Sequence, residues 1–263
     1  MGEPKSNFVV HPTAVIHPKA KIGANCVIGP YCVIGEQVTL GRRCRLHSHV
    51  VIEGHTRLGN DNEVFPFACL GLKTQDLKWK GGLTRTEIGD GNTFREYVTV
   101  HSATGGGEAT RVGSHNHILA YCHIAHNCEL GDHIIMSNVA TLAGHVVVED
   151  YAVIGGLVGV HQFCRIGRMA MIGGCSKVVQ DVPPYMQADG NPAETRTINK
   201  TGLDRHGVPK QTQAALRRAY KILFREGLTV SNAAAKVTKE VPTSHEVRHL
   251  IQFIRASRRG ISK

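Results

Sequence analysis

Histidine ordinarily titrates near neutrality, so a row of histidines is a natural place for proton-transfer chemistry. This chain has 16 histidines among 263 residues. Three of them, His126, His145 and His161, recur at nearly even intervals, and His123 lies three residues before the first. Gly144 stands 18 residues after His126. If the chain retraces its path every 18 residues, His145 and His161 fall within one position of the His126 line, on successive turns. The Gly144 backbone then sits directly above His126. An imidazole beside an exposed glycine N–H can carry acyl transfer: the ring takes a proton from a nucleophile, and the N–H stabilises the developing oxyanion. Two other readings remain open at this stage. Surface histidines often have no role, and His11, His17, His47, His49 and His55 have no chemical neighbours in the sequence. A zinc hydratase of the gamma-class carbonic anhydrase kind would also use histidines, and the string Cys122-His123-Ile124-Ala125-His126-Asn127-Cys128 holds ligand residue types.

The scaffold that sets the 18-residue interval is written in hexads. From Val10, every sixth residue is apolar through Leu70; the phase resumes at Ile88, Phe94 and Val100, and again from Val112 to Val178, for 26 hexads. A helix of 3.6 residues per turn cannot keep one face apolar at this period, whereas strands can. Such a short repeat marks a hexapeptide β-helix, with three hexads to a triangular coil. Residues 18 apart then stack at roughly the 4.8 Å strand spacing. Position five of each hexad should also face inward, and small residues dominate it, as in Ala14, Ala20, Cys26, Cys32 and Cys44. Gly follows the aliphatic in twelve hexads, which suggests turns with positive φ.

Six of the eight cysteines fall at position five, so they read as buried free thiols rather than a disulfide framework. No signal segment and no apolar run of membrane-spanning length is visible, so a cytoplasmic protein without stable membrane insertion is expected. Cys122 and Cys128, both inward at position five on consecutive faces, should not converge on one metal with the histidines.

The hexads lapse over residues 72–87 and 102–111, which read as loops leaving the prism. They stop at Val182-Pro183-Pro184, which divides the chain into a β-helical region 1–183 and a helical region 184–263. Leu216, Ala219, Tyr220 and Leu223 have helical spacing, as do Val247, Leu250, Ile251 and Ile254; a middle helix is expected near Ser231–Glu240. Thr243 and Glu246 suggest a capping box for the last helix. Charge is uneven: net +1 over 1–183 and +9 over 184–263, where Arg217, Arg218, Lys221, Arg225, Arg248, Arg255, Arg258 and Arg259 stand out. A basic face favours an acidic partner. No zinc-finger or RNP-like pattern supports nucleic acid.

Several longer segments carry a resemblance. HIAHNC (His123–Cys128), ATLAGHV (Ala140–Val146), GVHQFCRIG (Gly159–Gly167) and IGGCSKVVQDVPPY (Ile172–Tyr185) resemble the acyl-carrier-protein-dependent UDP-N-acetylglucosamine O-acyltransferases of lipid A biosynthesis. TQDLKW (Thr74–Trp79), VTVHSAT (Val98–Thr104) and GNPAETRTINKTGLDRHG (Gly190–Gly207) match the family's two loops and its link into the C-terminal helices.

The resemblance implies a mainly β fold, a left-handed parallel β-helix with a C-terminal α-helical domain, assembled as a homotrimer with sites between neighbouring prisms. It implies transfer of a (3R)-3-hydroxyacyl group from acyl carrier protein to the 3-hydroxyl of UDP-N-acetylglucosamine, with no cofactor and no metal. Carried over, His126 is the general base and Gly144 the oxyanion donor. His123, His145, His161 and Gln162 line the cleft, Gln75, Asp76 and Lys78 contact substrate from the first loop, and His101 stands by the second. Asn199 and Arg205 contact the UDP portion, and Gly174 sets acyl length, its missing side chain favouring a longer chain. Three positions depart from the family. Asn127 replaces a frequent Asp, Thr201 a common Glu, and His206 a frequent Arg. These changes leave open a relative that acylates a 3-amino UDP-sugar.

Overall fold

The computed structural model describes residues 9–263. From Val9 to Ile198 the chain passes through short strands that fall into three sheets of 11, 9 and 8 strands. Successive coils pair in parallel with the 18-residue register: Val9 lies beside Val27, Val15 beside Val33, and Lys21 beside Thr39. We call these the first, second and third sheets. The aliphatic of each hexad points inward, so Ile28, Ile34, Leu40, Leu46 and Ile52 form one continuous core with their counterparts down to Val178. Each fully buried Ile or Leu stabilises by roughly 1.5–3 kcal/mol.

The two lapses in the hexads lengthen single coils and leave the hexad pairing in phase, apart from one bulge at Gly71, where the pairing steps from Leu70 with Val100 to Leu72 with His101. Glu63 pairs with Thr93, and Thr93 with His117. The loops proper span 73–84 and 102–108, because strands Cys69–Leu72, Arg85–Ile88, Thr99–His101 and Ala109–Val112 extend into the expected gaps. Thr74 Oγ1 lies 2.9 Å from Thr104 Oγ1, which ties the two loops together.

Turn geometry corrects one expectation. The glycines that follow the aliphatics within the prism, Gly71 excepted, do not supply the positive φ; the left-handed residue comes two positions later, as at Asn25, Tyr31, Asn127 and His145. The glycines are there for close approach: a Cβ on Gly41 would stand 2.4 Å from the Gly59 carbonyl oxygen. Polar residues also enter the interior. Asn62, Asn92 and Asn116 are buried and stack, Asn62 Oδ1 accepting from Asn92 N–H at 3.0 Å and Asn92 Oδ1 from Asn116 N–H at 2.9 Å. This ladder satisfies backbone groups at a corner where an aliphatic would leave them unpaired. The inward cysteines do similar work: the Cys44 and Cys122 thiols donate to the Gly59 and Ser137 carbonyls at 3.2 and 3.0 Å.

After the prism an antiparallel hairpin, Met186–Gly190 with Ala193–Ile198, continues the first sheet, an element the hexad pattern did not foreshadow. Four helices follow: α1 (Lys200–Arg205), α2 (Lys210–Arg225), α3 (Val230–Glu240) and α4 (His245–Arg255). Leu216, Ala219, Leu223, Val237, Leu250 and Ile254 bury together as the spacing anticipates. The cap of α4 is Ser244, whose side chain accepts from Val247 N–H, rather than Thr243; the helix begins one residue later than the capping box implied.

Candidate active site

The register of the second sheet places the histidines. Ile124 pairs with Leu142, and Leu142 with Val160. The corner residues that follow therefore stack as His126 over Gly144 over Gln162, and as Asn127 over His145 over Phe163. The chain makes contact where this predicts it. A Cβ built on Gly144 would stand 2.4 Å from both Cε1 and Nε2 of His126, so the imidazole lies on the bare glycine. His145 meets His126 edge-on at 5.2 Å and stacks on Phe163 at 4.7 Å. The Gly144 amide makes no backbone hydrogen bond among the described residues.

His126 is nearly enclosed, its side chain 14% exposed. Its Nδ1 lies 3.0 Å from Asn127 Oδ1, and its Nε2 lies 3.6 Å from an Asp76 carboxylate oxygen. Asp76 comes from the first loop, where the local turn fixes it: its N–H donates to Thr74 Oγ1 at 3.1 Å, and its Oδ1 accepts from Lys78 N–H at 2.9 Å. Gln75 and Lys78 flank it with exposed side chains.

His123 and His101 sit behind, on the outer face of the second sheet. His123 Nδ1 is 2.7 Å from Thr99 Oγ1, and the His101 ring meets His123 edge-on at 5.2 Å. His101 is buried, and its Nδ1 has no hydrogen-bond partner, an orphan that calls for one. His161 and Gln162 are exposed one coil further on; His161 Nδ1 lies 3.1 Å from the Gln162 carbonyl, so its ring stands apart from the other two in the row.

Other sequence candidates lie elsewhere on the chain. Gly174 is on the corner between first and second sheets, where an added Cβ would come within 3.3 Å of the Gly156 carbonyl. Asn199 is buried and caps α1: its Oδ1 accepts from Gly202 N–H at 3.0 Å, and its Nδ2 donates to Met169 at 2.8 Å. Both ends of its amide are thus engaged within the chain. Arg205 is exposed in the last turn of α1, and His206 leans on Tyr151 at 4.6 Å. Met169 and Tyr151 belong to the corner between third and first sheets, so one chain does not bring Asn199 or Arg205 to the histidines. Sequence reading passed over Thr99, Phe163 and Glu108. Register could have revealed the first two; Glu108 sits in a loop, where register is silent.

A family model described as UDP-N-acetylglucosamine O-acyltransferase, domain 2, matches residues 181–262, and a bacterial transferase hexapeptide model matches 5–36 and 19–54. The LpxA structure from Acinetobacter baumannii is 45% identical, covers 97% of this chain and 100% of its own, and superposes with a TM-score of 0.94. The UDP-N-acetylglucosamine O-acyltransferase of Moraxella catarrhalis is 41% identical over 97% of this chain and 99% of its own, with a TM-score of 0.92. That of Bacteroides fragilis is 37% identical over 97% and 100%, also with a TM-score of 0.92. The chain belongs to the UDP-N-acetylglucosamine O-acyltransferase family. The prism is accordingly the family's left-handed parallel β-helix, an exception to the right-handed crossover of most parallel sheets.

Within this acyltransferase the inner histidines are held neutral. Burial first, then the neighbouring His101 and His126, brings His123 down to about 4. Burial also lowers His101 and His145, with His126 as the second cause for each. The unfolded chain takes up these protons near pH 6.5, whereas folded His123 refuses its proton until about pH 4. Stability is therefore full above about pH 6.5 and is lost as pH falls toward 4. Melting temperature should drop across that window, and less steeply in His123→Gln; equal slopes for the two proteins would show that His123 is not responsible.

Proposed function

We propose that this protein transfers a (3R)-3-hydroxyacyl group from acyl carrier protein to the 3-hydroxyl of UDP-N-acetylglucosamine, the first step of lipid A biosynthesis. The observation that carries the reading is the His126 imidazole seated on Gly144, with an unpaired amide at that glycine. His126 Nε2 takes the proton of the sugar 3-hydroxyl as the oxygen attacks the thioester carbonyl. The Gly144 N–H donates to the oxyanion of the tetrahedral intermediate. Collapse expels the carrier's thiolate, and His126 returns the proton to it. Asp76, 3.6 Å from Nε2, sits where it can hold the sugar against the base. His101, with its orphan nitrogen, together with His123, His145, His161, Gln162, Gln75 and Lys78, supplies the remaining contacts.

The acyl chain would cross the second sheet toward Gly174. Gly159 on that face leaves open space, and Gly156 and Gly174 stack without side chains on adjacent coils. A groove floored by three glycines suits a longer 3-hydroxyacyl chain. Asn199 positions α1, and Arg205 would meet the diphosphate through charge-assisted hydrogen bonds.

Because one chain separates Arg205 from His126, the reading requires copies packed side by side, and we infer a homotrimer. A spine of exposed apolar residues supports such packing: Tyr31, Phe67, Tyr97, Tyr121, Val139 and Leu157 line the corner between first and second sheets, the last of them 61% exposed. The carrier would land on the basic helices through exposed Arg217, Arg218, Lys221, Arg248, Arg255 and Arg258. Two more basic side chains are engaged within the chain: exposed Arg225 donates to Tyr220 Oη at 2.8 Å, and half-buried Arg259 donates to the Val179 carbonyl at 3.3 Å. Eight free cysteines fit the reducing cytoplasm, and no described helix is long and apolar enough to cross a membrane.

Mass spectrometry of the product tests the proposal. The protein is supplied with a mixture of 3-hydroxyacyl carrier proteins and with both UDP-N-acetylglucosamine and its 3-amino analogue. An ester on the former, drawn from the longer acyl carriers, is expected. Product only on the amino sugar, as an amide, would move the acceptor to the alternative class.

A further inference from the structure

We propose that Glu108 is a positioning residue for the base: its carboxylate locks the Asn127 amide with the oxygen facing His126. The inference rests on His126 serving as that base. In the family an Asp often follows the histidine and can meet it directly; this chain has the neutral Asn127 there. An amide can face an imidazole with either end, and its neighbours decide which.

Here two neighbours decide, independently and in the same sense. Glu108 Oε2 lies 2.6 Å from Asn127 Nδ2, and an ionised carboxylate only accepts, so that end of the amide must be NH2. Thr104 N–H lies 3.0 Å from Asn127 Oδ1, and a backbone N–H only donates, so that end must be the carbonyl. The carbonyl then also faces His126 Nδ1 at 3.0 Å. A carbonyl cannot donate, so His126 must carry its proton on Nδ1. The lone pair is left on Nε2, the nitrogen that lies toward Asp76 and the sugar site. With the amide turned over, an N–H would be offered to Nδ1, and the basic nitrogen would be the wrong one.

The second loop is shaped for this task. Glu108 Oε2 also accepts from Gly105 N–H at 3.0 Å, and Glu108 N–H donates to the Gly105 carbonyl at 3.1 Å, so the triple-glycine turn wraps the carboxylate. Asn127 N–H is held in turn by Thr110 Oγ1 at 2.9 Å. The negative charge of Glu108 reaches the cluster: with Asp76 it opposes the fall that burial and His126 impose on His145. The groups facing His126 are Asp76 from the first loop, His145 from the next coil, and His101 and His123 from the second sheet. Glu108 is exposed, so solvent screens its charge, and its main effect is the orientation of the amide.

The test combines Glu108→Gln, Glu108→Ala, Asn127→Asp and the double variant Glu108→Gln/Asn127→Asp, each assayed for kcat, KM, pH–rate profile and melting temperature. Glu108→Gln keeps the size of the side chain but removes the charge and the acceptor-only constraint. It should lower kcat roughly five- to tenfold, the loss of about one net hydrogen bond, with KM little changed. The acidic limb of its profile should move to lower pH, because the Asn127 carbonyl that accepts from Nδ1–H, and so favours the imidazolium, is no longer held in place. Asn127→Asp alone sets two carboxylates against each other and should lower kcat. The double variant places a carboxylate directly on Nδ1, with the amide introduced by Glu108→Gln donating to that carboxylate; it should recover kcat and return the limb to higher pH. Should Glu108→Ala melt early, Glu108→Gln carries the test. Wild-type kcat and profile in Glu108→Gln, alongside an inactive His126→Ala, would overturn the role of Glu108. A rise in KM alone, with the profile unmoved, would overturn it as well and make Glu108 a substrate contact. An active His126→Ala would instead remove the base on which the inference stands, a different failure read from a different variant.

Discussion

His126→Ala should fold and bind nucleotide sugar but turn over about 10²–10⁴-fold more slowly, the usual worth of a positioned general base. That corresponds to about 3–5 kcal/mol in the barrier. The effect should fall on kcat more than KM, because in the proposed mechanism Nε2 acts on a proton that moves only in the transition state. The fold should tolerate the change, since the ring packs against a corner of the prism and takes no part in the aliphatic core. Steady-state kinetics beside a thermal melt separate the two effects. A variant with native kcat would remove His126 from the chemistry.

Gly144→Ala should do nearly as much damage without touching any ionisable group. The new Cβ would stand 2.4 Å from His126 Cε1 and Nε2 and 3.1 Å from Nδ1. These atoms end a side chain, so the ring yields while the backbone stays. Gly41 is a useful contrast: a Cβ there meets the Gly59 backbone, which cannot yield. Displacement takes His126 from its bond to Asn127 and from its seat on Gly144, so the proposed base and the proposed oxyanion donor lose their mutual placement together. We expect a fall in kcat of roughly 10²-fold or more, with melting temperature almost unchanged. If Gly144→Ala melts early but retains its kcat, the glycine serves packing alone.

Much of this site was legible in the sequence because a β-helix converts spacing along the chain into spacing in space. With Ile124 beside Leu142, His126 has to lie over Gly144 and beside His145. The same arithmetic was less exact for His161, which belongs to position two of its hexad rather than position three or four, and its ring faces solvent. The inward cysteines and the helical stripe of Leu216, Ala219 and Leu223 were readable for the same kind of reason. The hairpin at 186–198 was not, because its pairing is antiparallel and carries no hexad.

The sequence by itself determined the prism, its register and the meeting of His126, Gly144 and His145, since a strict repeat leaves each coil only one way to stack on the last. Only the tertiary structure decided how the site is completed. Asp76 reaches Nε2, and Glu108 holds the Asn127 amide, through loops whose course is set by hydrogen bonds such as Thr74 to Thr104. The placing of Asn199 and Arg205 on another corner follows from helix docking, which depends on how apolar faces fit together. A local period fixes neighbours one coil apart; contacts across loops and between domains depend on the whole packed chain.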